Sequence, residues 1–75
     1  MKSDQVKIHL SKAEAVVLFE FLANFNKRRE WKFDDEAEQM VLWNIESDLE
    51  SILSEPFSPA YDKLLSNARK TIRKK

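Results

Sequence analysis

The residues best suited to chemistry are four carboxylates crowded around the predicted start of a helix, Asp34, Asp35, Glu36 and Glu38. Oxygen ligands of this kind can hold a hard cation. Their spacing lacks the glycine and the alternating ligands of a calcium loop, and carboxylates in a first helical turn serve as caps and complement the helix dipole. We therefore expect a structural role for this cluster and no metal site.

The chain contains one histidine, His9, and no cysteine, so one copy cannot supply a site with several histidines or any thiolate. His9 has no evident partner, and we expect it to be an exposed strand residue. No serine, lysine or tyrosine lies in a recognisable nucleophile context, and 75 residues can scarcely build a hydrolase cleft. We expect no catalytic residue, no cofactor and no enzymatic activity.

Charge is unevenly distributed although the formal net charge is zero. Every charged side chain from Asp34 to Glu50 is acidic, and every one from Lys63 onward is basic. Among the basic residues, Lys70, Arg73 and Lys74 are candidate phosphate contacts. Nucleic-acid binding through the C-terminal helix is thus the alternative function, weakened by the neutral total and by the acidic segment.

Trp43 and Met40 lie away from the apolar stripe of their predicted helix, among polar residues. One interpretation is that the third helix or the loop around Trp31 covers Trp43. The other is an apolar patch for a second copy or another protein, since such residues are enriched at interfaces. Its candidate residues are Val17, Phe21, Met40 and Trp43.

Three helices must position these residues. Ser11 and Glu14 form a capping-box pattern that starts a helix over about 12–28. Its apolar positions cover an arc too wide for an ordinary surface helix, so neighbours must cover more than one side. The main stripe is Ala15, Leu18, Leu22 and Phe25, with flanks at Phe19, Val17/Phe21 and Val16/Ala23.

The second helix is predicted over 35–53, with Asp34 as its cap and Pro56 behind its end. The third is predicted over 59–73, with Ser58 as the cap and Pro59 at the first position. The second helix carries the stripe Val41, Leu42, Ile45, Leu49, Ile52 and Leu53, and the third carries Tyr61, Leu64, Leu65, Ala68 and Ile72.

Residues 5–10 alternate polar and apolar side chains, which predicts a short β-strand with Val6, Ile8 and Leu10 on one face. Its partner could be a second short strand at 30–33, or a strand from a second copy. The third alternative is an extended arm lying on the helices.

The fold class is therefore mainly α, a three-helix unit with a short N-terminal strand, in a single domain over 1–75 whose basic residues 73–75 fray. A chain of this size buries only about 60% of its unfolded surface, so close helical packing or self-association must supply stability. The longest apolar run, residues 15–19, is too short to span a bilayer. We expect a cytoplasmic protein with no membrane contact.

Three stretches carry a resemblance: LSKAEAVVLFEFL at 10–22, FDDEAEQMVLWNIE at 33–46 and EPFSPAYDKLL at 55–65. Together they resemble a family of small bacterial proteins of unknown function. The resemblance implies a bacterial, cytoplasmic origin and no particular chemistry. The expected function is a non-catalytic interaction or regulatory module, a homodimer or a partner-bound protein of the antitoxin or immunity kind.

Overall fold

The computed structural model describes residues 4–28 and 32–74. Within them the chain forms three α-helices in the order α1 (Lys12–Lys27), α2 (Glu36–Ile52) and α3 (Tyr61–Arg73), with a short 3-10 helix at Glu55–Phe57. The predicted mainly helical class with three helices is confirmed, and each predicted boundary is within about two residues.

Helix α1 begins where the sequence predicts. The Ser11 hydroxyl accepts a hydrogen bond from the Glu14 backbone N–H at 3.1 Å, and the Glu14 carboxylate accepts one from the Ser11 N–H at 2.8 Å. This reciprocal pair satisfies two backbone donors that a helix N-terminus otherwise leaves without partners.

The caps of the other two helices differ from the prediction. Asp35, not Asp34, caps α2, since its carboxylate accepts from the Ala37 N–H at 2.8 Å. The Ser58 hydroxyl accepts from the Ala60 N–H at 3.0 Å and so supports a turn before α3, whose own N-cap residue, Ala60, has no side-chain cap. Residue types alone do not show which of two adjacent aspartates caps a helix. Nor do they show that a serine supports the turn before a helix and not the helix itself.

The described residues contain no β-strand, so the predicted N-terminal strand is not supported, and its pairing with a strand of a second copy stays a prediction. Residues 4–10 form neither helix nor strand, and Val6, Ile8 and Leu10 are 89%, 77% and 44% exposed. The segment is therefore not packed on the helices either. Of the predicted second strand, Glu30 and Trp31 fall outside the described residues, and Lys32 and Phe33 have no regular secondary structure. A strand of alternating residues needs a partner for its backbone, and the described part of this chain offers none.

The core forms where α1 lies between the other two helices. Helix α1 packs against both α2 and α3, whereas α2 and α3 hardly touch each other in the described part of the chain. Within residues 4–28 and 32–74, the buried residues are all apolar: Ala15, Val16, Phe19, Leu22, Leu49, Leu53, Leu65 and Ala68.

Polar contacts tie α1 to its neighbours at the edges of this core. The Asn26 amide donates to the Glu46 carboxylate across α1 and α2. Lys12 and Glu55 form an ion pair of 3.1 Å that joins the start of α1 to the 3-10 helix. Hydrogen bonds from the Glu55 backbone N–H and from Lys12 lower the pKa of Glu55. The pair is largely exposed on the lysine side, so its contribution to stability is small.

The molecule exposes more surface than a compact monomer of its length. It exposes 6515 Å², compared with about 4,800 Å² for a typical monomer of this mass. Its radius of gyration is 14.1 Å, compared with about 11 Å for a compact domain of 75 residues. The exposed N-terminal segment and the one-sided packing of α2 both contribute to this difference. In the described residues, no helix is both long and apolar enough to cross a bilayer.

Candidate interaction surfaces

One apolar surface outside the core lies on α2. Val41, Ile45 and Ile52 are 53%, 37% and 74% exposed. At about 100° per residue, these three positions fall within about 40° of one another around the helix, so they share one face. We call this set the α2 face. Leu42 and Leu49, which the sequence placed in the same stripe, point to α1 instead and are half-buried and buried.

The charges around this surface have one sign. Helix α2 contains Glu36, Glu38, Glu46, Asp48 and Glu50 and no basic residue. The Glu38 carboxylate accepts a hydrogen bond from the Asp34 N–H at 3.1 Å, and Asp35 is the N-cap. These two carboxylates therefore stabilise the start of α2. Within residues 4–28 and 32–74, no group of three or more side chains could hold a metal ion.

A second apolar surface is the exposed N-terminal segment, which we call the arm, residues 4–10. Its apolar side chains, Val6, Ile8 and Leu10, alternate with Lys7 and His9. His9 is exposed as expected, although it lies on the arm and not on a strand. The capping box at Ser11 and Glu14 fixes the point at which the arm leaves α1.

The candidate patch predicted from the sequence falls on two separate places in the structure. Val17 and Phe21 line a pocket on α1, and neither Met40 nor Trp43 is among the residues that line it. Met40 and Trp43 are 56% and 48% exposed on α2. Trp43 is therefore not covered by α3 as one interpretation had it, and Trp31, the other suggested cover, lies outside the described residues.

The α1 pocket has a volume of about 280 Å³ and lies beside α3. Phe21 and Phe25 stack with ring centroids 5.7 Å apart, and the Phe25 ring meets the Phe33 ring edge to face at 5.9 Å. Val17 completes the apolar part of the wall, and the polar part consists of Glu20, Asn24, Arg28 and Arg69.

A hydrogen-bonded pair fixes one side of this pocket. The Glu20 carboxylate accepts from the Tyr61 hydroxyl at 2.9 Å and from the Asn24 amide at 3.1 Å. Burial, followed by the hydrogen bond to Glu20 and the Glu20 charge, raises the pKa of Tyr61 well above its usual value. The positive charge of Arg69, which also lines the pocket, acts against this rise in pKa. The bond also joins α1 to α3.

The basic candidates Lys70, Arg73 and Lys74 are all exposed near the end of α3. Helical geometry places Lys70 and Lys74 opposite the buried Leu65 and Ala68, and Arg73 about 80° from Leu65 around the helix. In the described part of the chain none of the three forms an ion pair. Their positive charge is therefore available to solvent or to a partner.

No protein-family model, curated protein or solved structure matches the chain. The resemblance to a small bacterial family therefore stays a prediction.

The sequence pattern missed two surfaces. The α2 face was assigned to the core because all six residues of the stripe have helical spacing. Arg69 lines the pocket although it lies more than forty positions along the chain from the other lining residues. No local sequence pattern predicts a contact at that separation. For the pocket, the signal in the sequence was the apolar arc of α1, which is too wide for an ordinary surface helix.

Proposed function

We propose that the protein is a non-catalytic interaction module that self-associates by exchanging arms, with the arm of each copy packed on the α2 face of the other. The single observation that carries the proposal is that Val41, Ile45 and Ile52 remain exposed on one side of α2. The proposal also supplies a cover for Val6 and Ile8 of the arm, which are 89% and 77% exposed.

Charge favours the arm over a second α2 as the occupant. Two α2 helices packed face to face would bring acidic helices together with no basic residue on either, which is unfavourable. The arm carries one lysine, Lys7, between its apolar residues, and one acid, Asp4, at its start. Lys7 complements the acidic flanks of the α2 face, which a second α2 helix could not do.

The amount of exposed surface agrees with this arrangement. The excess over a compact monomer, about 1,700 Å², exceeds the roughly 800 Å² that each partner buries in a standard interface. Exchange between two copies also gives a closed, two-fold symmetric assembly with two identical contacts.

Sedimentation equilibrium at micromolar concentration tests the proposal. We expect the wild type to dimerise, and the double variant Ile45→Ser/Ile52→Ser to be monomeric with unchanged helical circular dichroism. Ile8→Ser, on the arm, should weaken the dimer in the same way. Ile8 and Ile52 are 77% and 74% exposed in the monomer, so their substitution has little effect on its folding. Ile45 is 37% exposed, and the circular dichroism checks that its substitution leaves the helices intact.

The matched control is Met40→Ser/Trp43→Ser, which removes apolar residues of comparable exposure from elsewhere on α2. It should leave the dimer intact. A monomeric wild type at high micromolar concentration contradicts the proposal. A dimer lost only in the control variant would instead establish the patch predicted from the sequence.

A second candidate function is nucleic-acid binding, favoured by the three exposed cations near the end of α3. A protein that neutralises three phosphates should lose roughly 40-fold in affinity between about 50 and 200 mM salt. Fluorescence anisotropy with labelled single-stranded and duplex DNA would measure this. Equal affinities of the wild type and Lys70→Gln/Arg73→Gln/Lys74→Gln would eliminate the candidate.

A further inference from the structure

The α1 pocket combines an aromatic wall with two guanidinium groups. Arg28 reaches it from the end of α1, and Arg69 from α3. In the described part of the chain neither arginine forms an ion pair. Two cations beside a stacked phenylalanine pair make an unusual surface for a chain with zero net charge, and self-association through α2 does not use it.

Among the described residues that line the pocket, Glu20 is the one acid, and its carboxylate already accepts hydrogen bonds from Tyr61 and Asn24. When its charge is set against one arginine, this described lining retains one positive charge. The electrostatic complement of this site is therefore a single anionic group.

The apolar lining defines the rest of the ligand. Val17, Phe21 and Phe25 offer a surface on which an aromatic ring or a branched aliphatic chain can pack, with offset or edge-to-face contacts for a ring. The volume of about 280 Å³ lies just below the range of about 300 to 1,000 Å³ of small-molecule sites. The pocket therefore holds one bulky side chain or a small acid, not a large cofactor.

We propose that this pocket binds an apolar carboxylate, with the carboxylate group between Arg28 and Arg69 and the apolar group on Phe21 and Phe25. Guanidinium groups suit this role because they present paired donors that match the two oxygens of a carboxylate. The same chemistry occurs in a free aromatic acid and in the C-terminal residue of a peptide.

Titration of the full chain followed by NMR chemical shifts and calorimetry tests the proposal with four probes. These are 3-phenylpropionate, its neutral amide, a short peptide ending in phenylalanine with a free carboxylate, and the same peptide with an amidated end. We expect an acid to bind and shift the resonances of Phe21, Asn24 and Arg69, while its amide binds about tenfold more weakly or worse.

The probes also distinguish the two sources. Tighter binding of the free acid identifies a small-molecule site, whereas tighter binding of the peptide acid identifies a site for protein C-termini. If neither acid binds at millimolar concentration, or if the acids and amides bind equally, the proposal is overturned.

Variants separate the charged and apolar parts of the site. Arg69→Gln and Arg28→Gln should each weaken acid binding about tenfold, and Phe21→Ala should weaken acid and amide alike. Arg73→Gln, an exposed arginine on the same helix as Arg69, is the matched control and should bind as the wild type does. Equal loss in Arg69→Gln and Arg73→Gln would show that only the general charge matters, which contradicts a defined carboxylate site.

Discussion

Helices α1 and α2 differ in burial far more than in length or composition. Helix α1 has 16 residues and buries Ala15, Val16, Phe19 and Leu22, whereas α2 has 17 residues and buries only Leu49. Both carry wide apolar arcs. The difference arises because α1 lies between two helices and α2 packs on one side only.

This comparison shows that the number of neighbours, and not apolar content, sets burial in a domain this small. Three helices arranged with one in the centre leave each outer helix with a single covered side. If the apolar arc of an outer helix is wider than its covered side, the remaining apolar side chains of that arc are exposed to solvent. On α2 the surplus is Val41, Ile45 and Ile52, and on α3, whose apolar stripe is narrow, it is mainly Leu64 at 36% exposure.

The largest expected effect is on the central helix. Leu22 is 2% exposed, so Leu22→Ala should lower the free energy of unfolding by about 2–5 kcal/mol, through lost burial and the cavity left behind. On α2, Val41→Ala should change it by less than about 0.5 kcal/mol. Urea unfolding of both variants at low concentration, where any dimer dissociates, measures the difference.

Since Leu22→Ala alone could prevent folding, Leu22→Met serves as a milder variant with an expected loss below about 1.5 kcal/mol. Similar losses for Leu22→Ala and Val41→Ala would contradict the one-sided packing of α2.

A smaller effect concerns the helix starts. Ser11→Ala removes the hydroxyl acceptor of the α1 capping box and should cost about 1 kcal/mol. Asp35→Ala removes the single cap bond of α2 and should cost a similar amount. If α1 is the central element, thermal unfolding of Ser11→Ala should stay cooperative. Asp35→Ala should lose amide protection at the start of α2 first, a difference that hydrogen exchange can detect.

The smallest effect concerns the bond between α1 and α3. Tyr61→Phe removes the hydrogen bond from the Tyr61 hydroxyl to Glu20 and should lower stability by about 1 kcal/mol near neutral pH. The raised pKa of Tyr61 also makes this contribution depend on pH.

In the folded chain the phenol keeps its proton to higher pH than in the unfolded chain. The stabilisation is therefore complete below pH about 10, the ordinary phenol value, and falls as the pH rises above it, because the unfolded chain loses its proton first. The wild type should lose stability between neutral pH and pH 11 more steeply than Tyr61→Phe does. Parallel curves would mean that the phenol of Tyr61 titrates normally.

Much of the helical arrangement could be predicted because its signals are local. The box at Ser11 and Glu14 places the start of α1 at the observed residue, and the apolar spacing places α2 and α3 within about two residues. The arm could not be predicted in this way. Alternation at residues 5–10 indicates a strand only if another strand pairs with it, and pairing is a property of the whole fold.

The candidate surfaces likewise differ in whether local sequence patterns predict them. Exposed cations at Lys70, Arg73 and Lys74 follow from their position on the polar side of an amphipathic helix. The exposure of Ile45 and Ile52 does not follow from their spacing, because the stripe to which they belong also contains the buried Leu49. Which edge of a wide stripe is covered depends on where the neighbouring helix lies.

By itself, the sequence determined the number of helices, their approximate limits, the cap of α1 and the separation of acidic and basic charge along the chain. Each depends on interactions between residues a few positions apart, which spacing records directly. Tertiary structure alone decided that α1 is covered on two sides, that one edge of α2 faces solvent, and that Arg69 lines the same pocket as Glu20 and two phenylalanine rings. These outcomes depend on the relative placement of whole helices, which contacts between residues far apart in the sequence decide.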